Sequence, residues 1–403
     1  MVRNLKIVHV MNWYIPGLGY QENILPVEQK KLGHEVNIIT SDRFPYYRGY
    51  ENHIGKIKGN RIMRTGCFSD NDVNIYRLPC IFELKRHGET FLIGLKKHLM
   101  KLQPDIVHAH GTFSPLTLLT IHYCKNIGIP IVIDDHSHED NFFLHSLITN
   151  IYLKIVKKFY NIYIQNISFF LPVTYSSSDI IKSTLTIPKE KIEILHLGAN
   201  THIFKKSKKS KKEGRTEIGI EDDEVLIISS GKFTESKDIH VLIKAFVSIC
   251  RKYSNVKLLL VGNGSKEYMR YLKELVDTFD IKDEVIFHDF VVNIELPKFY
   301  NAADIGVWPG DHTITAIEAA ATGLPVIIPL YNPAYLILFN NQSAIGFERG
   351  NINSLYEKIS MLIEDTKKRE KISTQALRIV EKELSWEIIA KKSLQIYIKA
   401  IGV

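Results

Sequence analysis

Cysteine is scarce in this chain, and no apolar run is long enough to cross a membrane. The four cysteines, Cys67, Cys80, Cys124 and Cys250, are scattered without paired spacing. That excludes a disulfide framework and a cysteine-rich zinc site, and it fits a reducing compartment. The longest apolar stretch, 151–173, is broken by Lys154, Lys157 and Lys158. The N-terminal MVRNLKIVHVM runs straight into a strand pattern, so no secretory leader is expected. These absences point to a cytoplasmic protein. No fixed-period repeat occurs, which argues against a solenoid, and no basic motif interleaved with aromatics suggests nucleic acid.

What is present describes a folded protein. Hydrophobic residues make up 45% and charged residues 24%, and 403 residues suggest two domains of α/β size. The formal net charge is +8. The first half is net basic, and the run KKSKKSKKEGR at 205–215 adds a block of like charge that reads as a solvated interdomain linker. Such a balance suits an anionic lipid surface or a phosphorylated substrate.

Strand and helix patterns alternate throughout. LKIVHVM, HEVNIIT, PDIVHAH, IPIVIDDH, FFLPVT and KIEILH are strand candidates in the first half, with ENILPVEQKKLG and TFLIGLKKHLMKL as helices. EVLIISSG, VKLLLVG, EVIFHDF, ADIGVWP and PVIIP repeat the pattern in the second half. The region 43–79 reads as hairpins and loops, with Asp70-Asn71-Asp72 as a turn. This alternation predicts an α/β protein of two doubly wound parallel-sheet domains, 1–196 and 197–383, facing a cleft. Ligands of such sheets bind at the carboxyl ends of the strands.

Several segments carry chemistry. In VWPGDHTITAIEAAATGLPVIIP (307–329), Asp311, His312, Thr313 and Thr315 crowd the start of a helix between two strands, a place suited to an anion. Thr315-Ala-Ile-Glu318 also fits a capping box, in which Glu318 would fold back onto the Thr315 N–H. Lys232 and Lys237 follow a strand and could meet one diphosphate, or be solvent lysines. Gly17 and Gly19 precede a helix, as a phosphate-approaching loop or an ordinary turn would. VGNG at 261–264, with Gly262 and Gly264, lacks the full dinucleotide fingerprint. His108-Ala-His110 and His136-Ser-His138, beside Asp134, Asp135, Glu139 and Asp140, have the residue types of a metal-dependent hydrolase site. The later ligands such a site needs are missing, since His196, His202, His240, His288 and His312 are scattered.

Taken in order, IPGLGYQEN with KKLGHEVNIIT, DIVHAHG, PIVIDDH, ILHLGANTHIF, SSGKFTESKDIHVLIKAF, VKLLLVGNG, LPKFYNAADIGVWP, IEAAATGLPVI and LSWEIIAKKSLQIYIKAI resemble a retaining family 4 (group 1) glycosyltransferase of the GT-B fold. The resemblance implies two Rossmann-like domains, with a C-terminal helix at 384–403 packing back on the first. It implies transfer of a hexose from a nucleotide diphosphate sugar to a saccharide or lipid-linked acceptor, without a metal. It assigns Gly17, Gly19, Gly231, Asp311, His312, Thr313, Ile314, Thr315 and Glu318 to the donor, with Glu318 on the ribose hydroxyls. His136, Lys232 and Lys237 would carry the chemistry, with His110 and Asp135 as lesser candidates. Two positions depart from the family pattern. Lys232 stands where Arg is usual, and Gly310 stands where the first of two glutamates, eight residues before Glu318, is expected. The missing glutamate raises the alternative of a GT-B binding protein or inactive paralogue. The stretch IYLKIVKKFYNIYIQ and the basic first half suggest peripheral attachment to an anionic membrane.

Overall fold

The computed structural model describes residues 4–17, 19–45, 59–84, 88–137, 147–310, 314–330, 337–338 and 342–402. The chain forms two compact units, one of Met1–His196 with Ile389–Val403 and the other of Leu197–Ile388.

In the first unit, β1 (Lys6–Val10), β2 (Glu35–Ser41), β3 (Gly66–Asp70) and β4 (Val73–Leu78) are followed by a separate hairpin, β5 (Cys80–Leu84) with β6 (Glu89–Leu92). Then come β7 (Ile106–His110), β8 (Ile131–Asp135) and β9 (Ile167–Pro172). The seven-stranded sheet has the order β3-β4-β2-β1-β7-β8-β9, parallel except for β3. Every residue of β7 and β8 is buried, as central parallel strands covered on both faces require. Asn71 and Asp72 have φ of 48° and 63°, the left-handed pair a tight β3–β4 hairpin needs.

Two strand expectations change here. β4 is more than half of a hairpin: it pairs in parallel with β2 and extends the main sheet. KIEILH forms no strand. It touches the edge at the single bridge Phe170–Ile192, with Glu193 and Leu195 N–H groups donating to Phe170 and Pro172 carbonyls.

The second unit holds β10 (Val225–Phe233), β11 (Val256–Gly264), β12 (Val285–His288), β13 (Ile305–Val307), β14 (Val326–Pro329) and β15 (Ala344–Phe347). They form one parallel sheet in the order β12-β11-β10-β13-β14-β15. Side-chain alternation feeds two cores. Leu226, Ile228, Leu259 and Val261 pack on one face, while Ile227, Leu258, Leu260 and Val307 pack on the other.

The lysine run is not a linker. Lys208–Ile218 is a helix capped by the Ser207 hydroxyl, which accepts from Ser210 N–H. A Cβ on Gly214 would lie 2.6 Å from the Lys298 carbonyl, so the helix packs backbone to backbone there. Arg215 is 3% exposed and donates to the Ala302, Glu221 and Glu224 carbonyls. This buried guanidinium, bonded through both terminal nitrogens, anchors the helix, and its lysines stay exposed, where repulsion is screened. No described helix is long and apolar enough to cross a membrane.

Candidate active site

The end of β10 places both sequence-predicted lysines. Lys232 lies on the strand and Lys237 ends the single 3-10 turn Glu235–Lys237. Both line one pocket with Ser229, Ser230, Trp308, Pro309 and Gly310. The turn is also held from behind. Arg349 donates to Asp238 Oδ2 at 2.8 Å and to the Ser236 carbonyl at 3.0 Å. Neither Arg349 nor Asp238, a non-glycine residue with φ of 53°, carried a sequence signal.

Gly310 is where the family pattern expects a glutamate, and there is no room for one. A Cβ at this position would sit 2.2 Å from the Ser236 carbonyl oxygen and 2.6 Å from Lys237 Cα. The loop after β13 therefore abuts the backbone that carries Lys237. Gly262 and Gly264 serve the same kind of contact elsewhere. Their Cβ atoms would lie 1.9 Å from the Gly231 oxygen and 2.2 Å from the Phe233 oxygen, so they bring β11 against β10.

The helix Ile314–Ala321 begins one residue before Thr315, so Thr315 lies inside it and cannot be the cap of a box with Glu318. The Thr315 hydroxyl donates to the Ser230 carbonyl at 3.4 Å, an oxygen that also accepts from Trp308 Nε1 at 3.0 Å. Glu318 accepts from Asn293 Nδ2 at 2.8 Å, a residue the sequence did not single out. The carboxyl is 1% exposed, and burial pushes its pKa up to about 7 against the opposing Asn293 bond. Asp311, His312 and Thr313 lie outside the described residues, while Ile314 opens the helix.

In the first unit, Gly17 has φ of 78° and, with Gly19, precedes the helix Gln21–Lys31. Gln21 is 1% exposed, and neither of its amide atoms has a hydrogen-bond partner among the described residues. His136 follows β8, with its side chain 36% exposed. His138, Glu139 and Asp140 lie outside the described residues.

Behind His136 lies a buried polar cluster. Strand register sets His9 beside His108 and His110 beside Asp134. His9 Nε2 meets Gln29 Oε1 at 2.8 Å, and His9 Nδ1 meets His110 Nε2 at 3.0 Å. Asp134 Oδ2 is 2.5 Å from His110 Nδ1, 3.5 Å from His108 Nε2 and 3.6 Å from His136 Nε2. Tyr397 OH bonds His108 Nδ1 at 2.5 Å. His9, His108 and His110 are close enough to share a cation. Hydrogen bonds among the described residues meet four of their six ring nitrogens, while His108 Nε2 and His110 Nδ1 face Asp134 Oδ2 without one.

Burial works against charge on His9, His108, Asp134 and Asp135, with different outcomes. His9 and His108 lose that contest and are held neutral, His108 falling to about 4. For Asp134, nearby His110 and the contacts from His108, His110 and His136 override burial and hold it well below the usual carboxylate range. At the partly exposed His136 the loss of water is outweighed by Asp134, with help from Glu22 and Asp135, and its pKa rises to about 9. Asp135 accepts from Ser137 N–H at 2.8 Å, yet burial still lifts it to about 6.

Two parallel α/β units of this topology define a GT-B protein. The sequence model "Glycosyltransferase Family 4" matches residues 27–203, and "Glycosyl transferases group 1" matches 210–378. The chain belongs to this glycosyltransferase family. It is 26% identical to an uncharacterized glycosyltransferase of Methanocaldococcus jannaschii, over 91% of this chain and 90% of the relative. It is 25% identical to the alpha-monoglucosyldiacylglycerol synthase of Streptococcus pneumoniae, over 72% and 70% of the two chains. Among solved structures, Anabaena HepE in complex with UDP and glucose superposes with a TM-score of 0.73 at 15% identity, covering 97% of this chain and 99% of that one.

Proposed function

We propose that the chain is a retaining hexosyltransferase that uses a nucleotide diphosphate sugar and a saccharide or lipid-linked acceptor. The reaction breaks the bond between the sugar C1 and the diphosphate oxygen while an acceptor oxygen bonds to C1. The acceptor proton passes to the departing phosphate, on the face the leaving group vacates. Negative charge grows on the diphosphate, and fixed cations lower that barrier most. The observation that carries this reading is the pairing of Lys232 and Lys237 in one pocket at the end of β10. In this reading the pair holds the diphosphate, Glu318 accepts from the ribose hydroxyls, and His136 meets the transferred sugar or the acceptor. Lysines perform the work of a divalent cation, so no metal is required. Nucleotide diphosphate release should therefore occur with one member of a nucleotide-sugar panel, persist in excess chelator and give a product of retained anomeric configuration. No turnover, with donor still bound, would instead identify an inactive paralogue. Loss in chelator restored by zinc would implicate the histidine cluster.

The acceptor reading has its own support. The helix Leu147–Tyr163 exposes Leu147, Ile151, Ile155 and Ile162 while burying Val156 and Tyr160. At 3.6 residues per turn these four and the exposed Lys154 and Lys158 fall within an arc of about 100°. Such a mixed apolar and cationic stripe fits an anionic bilayer surface. The enzyme would then work in the cytoplasm, resting peripherally on the membrane that carries a lipid-linked acceptor.

A further inference from the structure

Contacts run from Gln29 through His9, His110, Asp134, His108 and Tyr397 and return to Gln29, where Gln29 Nε2 meets Tyr397 OH at 3.1 Å. Gln29 is the one member with distinct donor and acceptor atoms, so it sets the roles of its neighbours His9 and Tyr397 and, through them, of His110 Nε2 and His108 Nδ1. Its Oε1 takes the proton of His9 Nε2, leaving His9 Nδ1 to accept from His110 Nε2. Its Nε2 donates to Tyr397, whose own proton goes to His108 Nδ1. That leaves the His108 proton on Nε2, 3.5 Å from Asp134 Oδ2 and without a hydrogen bond, and His110 approaches the same oxygen through Nδ1. The other carboxylate oxygen, Oδ1, accepts the Gly111 N–H at 2.9 Å. Asp134 is thus fixed through Oδ1, while Oδ2 faces His108, His110 and His136 at ion-pair distances. His136 reaches it from outside the ring.

We propose that Asp134 is a positioning residue for His136, and that Tyr397, on the C-terminal helix Trp386–Ala400, secures it through His108. This rests on the reading that His136 meets the sugar or acceptor. The other titratable groups acting on His136 are Glu22 from the first helix, Asp135 from its own strand and His108 from β7. Glu22 and Asp135 reinforce the charge of His136, while Asp134 makes the close contact that directs its ring. The C-terminal helix joins in because Gln29 also donates to Ser393 at 2.8 Å, so the first helix and the last are bonded through the same amide. Seating of the C-terminal helix and orientation of His136 are therefore linked.

The test compares parent, Asp134→Asn and Tyr397→Phe by long-range proton–nitrogen-15 spectra of the imidazoles across pH and by donor turnover. Tyr397→Phe removes one hydroxyl and keeps the edge-on ring contact with His108 at 5.8 Å. The His136 resonances should move in both variants, with its titration midpoint falling by about one unit or more in Asp134→Asn. Turnover by Asp134→Asn should fall about a hundredfold, the cost of a misplaced group, with donor KM changed less than about threefold. Unchanged His136 resonances in Asp134→Asn overturn the proposal. If that variant does not fold, unchanged resonances in Tyr397→Phe overturn it. Resonances that move with turnover intact uphold the positioning and overturn the role of His136 in transfer.

Discussion

Asn293 Nδ2 donates to Glu318 Oε1 at 2.8 Å, and the other oxygen of this 1% exposed carboxyl has no hydrogen-bond partner among the described residues. Its pKa stands at about 7 in the folded chain, above the ordinary 4.5. A raised carboxyl contributes stability below its unfolded pKa that is lost as pH climbs to the folded value. Glu318→Gln keeps the Asn293 bond and removes that loss. The variant should match the parent below pH ~4 and exceed it at pH ~8 by on the order of 2–3 kcal/mol in urea unfolding. An equal difference at both pH values would show that Glu318 does not titrate in this range.

Donor binding should expose the same group from the other side. If ribose hydroxyls donate to Glu318, they favour the ionised form, so donor Kd should tighten as pH rises through about 7. Glu318→Gln should flatten that dependence and, at pH ~8, weaken donor binding about tenfold or more, the worth of a charge-assisted bond. Calorimetry with the preferred nucleotide sugar decides it. Parent-like affinity in the variant places the ribose elsewhere.

Lys237→Met should lower kcat by about a hundredfold to a thousandfold while changing donor Kd much less, because the charge it answers develops in the transition state. Pre-steady-state turnover with donor at saturation reads this directly. A variant that loses affinity and keeps its rate would make Lys237 a ground-state contact.

Gly310→Ala tests the packing against Ser236 and Lys237. A Cβ 2.2 Å from a backbone carbonyl must push the loop away, with a cost of about 1–3 kcal/mol. Turnover should fall with stability, and Gly310→Glu should fare worse than Gly310→Ala. Gain of activity in Gly310→Glu would mean that the loop opens to receive the side chain.

The exposed stripe on Leu147–Tyr163 predicts sedimentation with anionic vesicles, weakening as salt rises. Replacing Ile151 and Ile155, which are 50% and 59% exposed, by Glu should abolish it without loss of thermal stability. Equal binding to neutral vesicles would count against the anionic surface.

Much of the fold was legible because its signals are local. Buried parallel strands read as short apolar runs, and the turn at Asn71-Asp72 and the helix 314–321 announce themselves in a few residues. AIGF at 344–347 escaped notice because four residues carry too little pattern, and it is a strand only through its pairing with β14. KIEILH shows the reverse: a good strand pattern left with one bridging contact at the edge of β9. The lysine run reads as a linker because composition reports average repulsion and cannot show one arginine finding three carbonyls.

The sequence by itself determined that two sheets would form and that lysines, glycines and a glutamate would fall at strand and helix ends. Only the tertiary structure decided which of them meet. His9, His108 and Asp134 lie far apart in the chain and become neighbours because β1, β7 and β8 are adjacent, in a register that pairs His9 with His108 and His110 with Asp134. Gln29 and Tyr397 close that cluster from helices at opposite ends of the chain. Gly310 looked like a missing functional group until the backbone of Ser236 and Lys237 was seen to fill its place. Periodicity along the chain is set by each residue's own bonds, whereas convergence depends on strand order and register, which follow from how the whole core packs.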